Sequence, residues 1–106
     1  MRIDERAVLI RPRRLYREGM GRAELYEITR KEWRLNPRRD PDYAFAIHGG
    51  VVRGVFRIDR WEPGVQPGRW MFEGTADDEM ERRYVGQDVS EYFPPGAANP
   101  VQYANC

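Results

Sequence analysis

The 106 residues, 33% of them charged and 41% apolar, suffice for one soluble globular domain with a single core and are too few for two. No apolar run approaches the roughly 20 residues of a membrane span, MRIDERAVLI lacks the apolar core of a signal peptide, and a single cysteine, Cys106, allows no internal disulfide and fits a cytoplasmic protein. The net charge of +1 hides an uneven spread: residues 1–39 hold 12 Arg or Lys against 6 Asp or Glu, and residues 40–106 hold 6 against 11, so a basic face able to meet a phosphate backbone is expected.

Along the chain, AVLIRP (7–12) reads as a short buried strand that Pro12 ends or places at an edge. RRLYREGMG then reads as a basic connector broken at Gly19 and Gly21. From Arg22 to Arg34 the spacing turns helical: Ala23, Leu25, Tyr26, Ile28 and Trp33 form a broad apolar face, Glu27 and Lys31 pair at i,i+4, and Asn36-Pro37 is the stop. Tyr26, Arg30 and Trp33 fall on one side of that helix.

The segment Tyr43 to Trp61 predicts two strands joined at Gly49-Gly50, because tight hairpin turns need positive φ. Tyr43, Phe45 and Ile47 alternate with Ala44, Ala46 and His48. In the second strand strict alternation puts Val52, Phe56 and Ile58 on one face, and Val55 and Trp61 on the other with Arg53, Arg57 and Asp59. One apolar and one charged face point to an antiparallel pair with one side on a core. EPGVQPG (62–68) is a turn-rich loop, and GRWMFEG (68–74) a third strong strand with Trp70 and Phe72 on one face. Asp77 or Asp78 caps a short helix with Met80 and Tyr84 inward, Gly86 breaks it, VSEYF makes a further turn, and NPVQYANC (99–106) is a final strand with Val101 and Tyr103 on one side. The order β-α-β-β-β-α-(α)-β predicts an α+β domain spanning 1–106. Its mixed, mainly antiparallel sheet curls or closes into a small barrel, flanked by two to three helices.

Chemistry-bearing clusters are sparse. His48 is the only histidine and Ser90 the only serine, with no nucleophile elbow around it, so neither a His/Cys metal site nor a Ser-His-Asp arrangement is expected, and no cofactor is called for. What stands out is the aromatic content: three Trp, six Tyr and four Phe. Trp33, Trp61 and Trp70 lie near element ends beside Arg30, Arg34, Arg60 and Arg69, which are the components of a pocket that stacks a flat base.

LYEITRKEWRLN (25–36), YAFAIHGGVVRGVFRIDRWEP (43–63), GRWMFEG (68–74) and YVGQDVSEYF…NPVQYANC (84–106) together resemble a family of small bacterial domains akin to the PUA-like superfamily, which includes the EVE, ASCH and YTH domains. The resemblance implies a curled β-barrel flanked by helices and a nucleic-acid-binding module, with DNA or RNA as partner and a modified base held in an aromatic pocket. It makes Trp33, Trp61 and Trp70 the pocket candidates and Arg30, Arg34, Arg38 and Arg39 the phosphate candidates, in a monomer or homodimer. Some ASCH proteins are small amidohydrolases that use a Lys with a Glu and a Thr. Here Lys31, Glu32 and Thr29 are near neighbours on one predicted helix and point in different directions. The expectation is therefore a binding module, with a hydrolase of an amide or nucleoside, or a structural or interaction domain, as alternatives.

Overall fold

In the computed structural model, which describes residues 1–106, the expected order forms: β1 (Ala7–Ile10), α1 (Arg22–Arg30), β2 (Tyr43–His48), β3 (Val51–Pro63), β4 (Trp70–Ala76), α2 (Asp78–Tyr84) and β5 (Val101–Ala104). The further turn expected around VSEYF is a single 3-10 turn, Ser90–Tyr92. The strands make one mixed sheet in the order β4-β3-β2-β1-β5. Only β1 and β2 are parallel, joined through α1, and the other three pairings are antiparallel. The protein is thus α+β, with a mixed sheet that stays open rather than closing into a barrel: β4 and β5 are its two edges.

The turn and cap chemistry follows the sequence closely. Gly49 and Gly50 both take positive φ, +61° and +75°, at the β2–β3 hairpin. The Asp77 carboxylate accepts the Met80 N–H at 3.0 Å and starts α2.

The faces of the sheet differ from strict alternation. A one-sided core was expected, yet both faces are packed. On one, Phe45, Ile47, Val52 and Val55 meet Tyr84 of α2, Val89 and Ile3. On the other, Val8, Ile10, Ala44, Ala46, Phe56 and Phe72 meet Leu25 of α1, with Tyr26, Trp33, Ile58 and Trp61 packed around them. Two bulges explain the sorting. Ile47 pairs with Val52 but Ala46 with Gly54, so Arg53 is an extra residue, and Val52 and Val55 come to the same face. Ile58 pairs with Gly74 but Arg60 with Glu73, so Asp59 is extra, and Trp61 joins Phe56 and Ile58. The two bulges also bend the 13-residue β3. Fully burying Phe45, Phe56 and Phe72 contributes about 1.5–3 kcal/mol each.

The helix predicted to reach Arg34 ends at Arg30. Lys31 is extended and Glu32 takes φ +66°, which turns Trp33 out of the helix and into a two-way backbone bridge with Trp70, at 3.0 and 2.9 Å. The Trp33 indole N–H donates to the Thr29 carbonyl at 2.7 Å, satisfying a carbonyl at the helix end. The tight turn is held by the Glu32 carboxylate, which accepts the N–H groups of Val65 at 3.0 Å and Gln66 at 3.1 Å.

Those two backbone donors, and after them the nearby Arg69 and Lys31 charges, hold the Glu32 carboxyl below its ordinary range. A depressed carboxyl stabilises the fold above its unfolded pKa, and that stabilisation disappears as pH falls through the folded pKa. Glu32→Gln is therefore expected to be less stable than wild type at about pH 7, with a smaller gap at about pH 3. Urea midpoints of both proteins at the two pH values check this; an equal gap at both would show that the Glu32 charge is not involved.

Candidate functional site

Ile10 and His48 end the two parallel strands at the same end of the sheet, with His48 two residues beyond Ala46, the register partner of Ile10. Crevices beyond the carboxyl ends of parallel strands are common binding places, because the connections splay apart there. The connection leaving β1 is RPRR (11–14), which runs into a 3-10 turn over Arg13–Leu15. Arg13 carries φ +42°, a left-handed conformation that a non-glycine residue adopts at a cost of order 1 kcal/mol or more.

This segment forms a ridge between two open hollows. One, of about 410 Å³, is lined by Arg11, Arg13, Arg14, Ile47, His48 and Gly49. The other, of about 350 Å³, is lined by the same three arginines with Pro12, Leu15, Trp33 and Pro100. Neither contains a carboxylate. A hollow of about 480 Å³ between α1 and α2 offers a contrast: there Asp78 and Glu81 are part of the lining and both pair with Arg22, at 3.3 and 2.7 Å.

The three ridge arginines are held differently. Arg11 lies over the Phe93 ring at 4.2 Å, donates to the carbonyls of Ala97 at 3.1 Å and Asn99 at 2.8 Å, and keeps its buried Nε–H without a partner. Partial burial, and then the charge of Arg13, lower the pKa of its guanidinium. Arg13 donates only to the Ala98 carbonyl, and Arg14 is exposed. A guanidinium held by a neutral carbonyl keeps its full charge, so the ridge presents three cations to any anion that settles on it.

Aromatic rings stand on both sides. His48 stacks on Tyr16 with ring centroids 4.3 Å apart and 23° between planes, and Arg53 sits over Tyr16 at 5.7 Å while donating to the His48 carbonyl at 3.3 Å. On the other side, Trp33 is half-buried, its ring fixed by the bond to Thr29.

The residues expected from the sequence are distributed as follows. Of the three tryptophans only Trp33 lines a hollow. Trp61 packs edge-on against Phe72 at 5.6 Å with its indole N–H buried and unpartnered, and Trp70 is tied to Trp33 through the backbone. Arg30 is engaged with Glu73, with Glu27 at 3.5 Å and with the Phe72 carbonyl at 2.9 Å, and its side chain is only 11% exposed. Burial alone would lower its pKa, but Glu73, Tyr26 and Glu27 raise it overall, so its charge serves the fold. Arg39 lies over Tyr103 at 4.4 Å and donates to the Cys106 carbonyl at 2.9 Å. Arg34 and Arg38 are exposed on the stretch after α1, outside both hollows.

The hydrolase candidates do not share a cleft: Thr29 is fully buried, Lys31 pairs with Glu27 at 3.4 Å, and Glu32 holds the 65–66 turn. The hydroxyl of Ser90 donates to Asp88 at 2.6 Å and does not reach His48. No group of three or more His, Cys, Asp or Glu converges as a metal-ligand set, and no helix is long and apolar enough to cross a membrane.

Sequence reasoning passed over Arg11, Arg13, Arg14 and His48. The signal that could have found them is a basic run leaving the first strand of a β-α-β unit. Comparison of the chain with models of protein families, with curated proteins and with solved structures gives no match.

Proposed function

We propose that this chain binds single-stranded nucleic acid across the arginine ridge at the ends of β1 and β2. One observation carries the reading: three arginines shared by two hollows that contain no carboxylate, with an aromatic ring in each. Free cations without acidic neighbours suit a phosphate backbone, and flat rings beside them suit unstacked bases. The resemblance to the PUA-like superfamily belongs to this proposal, as does a cytoplasmic setting. The pocket assigned from sequence to three tryptophans is narrowed here to Trp33, with His48 and Tyr16 taking the other side.

Tryptophan fluorescence titrated with short single-stranded DNA and RNA at two salt concentrations tests this. The expected result is quenching that weakens as salt rises and that is largely lost in Trp33→Phe. Unchanged fluorescence and no binding by calorimetry at low salt would overturn the reading. A stronger response to strands carrying methylated cytosine or adenine would extend it to a modified base.

A further inference from the structure

We infer that the ridge and its two hollows take a splayed dinucleotide step: one phosphate on Arg13 and Arg14, one base against Trp33 and the next against His48. This rests on the nucleic-acid reading and specifies the ligand that the site takes. Both hollows lie near the small end of ligand-site volumes, about 350 and 410 Å³, which suits one flat ring each better than a larger ligand.

The same three arginines border both hollows, so two bases seated in them are separated by the ridge and cannot stack on one another. The strand must pass over the ridge, and the phosphate that links the two nucleosides then lies on the arginines. Arg11 is committed to two carbonyls and the Phe93 ring. The contact therefore falls to Arg14, which is exposed, and to Arg13, which exchanges the Ala98 carbonyl for the phosphate. A charged acceptor makes the stronger hydrogen bond, so the exchange favours the bound state.

The rings are set in advance. One face of His48 is covered by Tyr16, and the ring borders the hollow beside Gly49. The Trp33 plane is fixed by its bond to Thr29. Arg13, which borders both hollows, holds a left-handed backbone, a costly conformation of the kind that clusters at binding sites.

The test is an NMR titration of the His48 and Trp33 side-chain signals with thymidine monophosphate, the dinucleotide d(TpT) and a thymidine 12-mer. Wild type, Trp33→Ala, His48→Ala and His48→Phe are compared. In wild type, d(TpT) is expected to shift both rings and to bind at least about tenfold tighter than the mononucleotide. Trp33→Ala and His48→Ala should each cost about tenfold on d(TpT), and His48→Phe, which restores a flat ring, should recover most of that loss.

Equal affinity for the mononucleotide and d(TpT) would overturn the dinucleotide step, and this comparison needs only wild-type protein. Binding of the 12-mer that is indifferent to His48→Ala would also overturn it while leaving the nucleic-acid reading intact. Failure of wild type to bind the 12-mer would overturn both.

Discussion

Reversing the ridge as Arg13→Glu/Arg14→Glu is expected to weaken single-stranded nucleic-acid binding by at least about 100-fold at low salt. A hydrogen bond to a charged group is worth about 1.5–3 kcal/mol, so losing two removes about 3 kcal/mol or more, and two new carboxylates add repulsion. The salt dependence should change with it. Losing the one phosphate that these two arginines hold lowers the slope of log K against log salt by about 0.7 for a single strand. The protein should stay folded: Arg14 is exposed, Arg13 surrenders one contact to a carbonyl, and glutamate is no less suited than arginine to the φ of +42°. Arg34→Glu/Arg38→Glu is the control. It carries the same charge change on an exposed stretch outside the hollows and should reduce affinity far less. If the ridge variant kept wild-type affinity and slope, or if the control fell as far, the cleft would not be where the strand binds.

Gly74→Ala is expected to cost more than about 4 kcal/mol, a large part of the 5–15 kcal/mol that holds a domain of this kind together. Gly74 faces the bulged part of β3, and a methyl group there would lie 2.0 Å from the Arg57 carbonyl oxygen and 3.1 Å from its carbon. The obstacle is backbone, so no rotamer change relieves it and β3 and β4 must part. The Gly74 N–H is also the donor to the Tyr26 hydroxyl at 2.9 Å, a bond that ties the sheet edge to α1 and would be strained in the same movement. Gly54→Ala is the comparison: its methyl would meet Leu25 Cδ2 at 2.9 Å, a side-chain end that can turn aside, so a cost of about 1–3 kcal/mol is expected. Urea unfolding of the three proteins decides the matter, and a Gly74→Ala midpoint equal to that of wild type would show that the strands have room to separate there.

Local chemistry made much of this fold legible in the sequence. Gly49-Gly50, the Asp77 cap and the inward Tyr84 each follow from a residue's own conformational or hydrogen-bonding preference, and each formed as expected. The bulges at Arg53 and Asp59 did not show, because a bulge is a property of the register between two strands and leaves the bulged residue looking like any other in its own strand. The early end of α1 was hidden for a similar reason. Trp33 suits a helical face by spacing, but its backbone is claimed by Trp70, far away in sequence. The site shows the same limit. Arg30 looked available beside Tyr26 until Glu73 arrived from β4, whereas Arg11 looked like the end of a strand, and Arg13 and Arg14 like a connector, until His48 and Trp33 were brought to either side of them.

The pairing of β1 with β5 also has a consequence in time. During synthesis β1 leaves the ribosome first, and β2, β3 and β4 can assemble beside it by hairpins and one crossover, but its other edge stays open until Val101–Ala104 arrives. The carbonyls of Ala97, Ala98 and Asn99, which hold Arg11 and Arg13, come with that same last segment. Arg11 and Arg13 therefore stay without these carbonyl partners until that segment is made, and the ridge is set in place only after β1 to β4 can have paired.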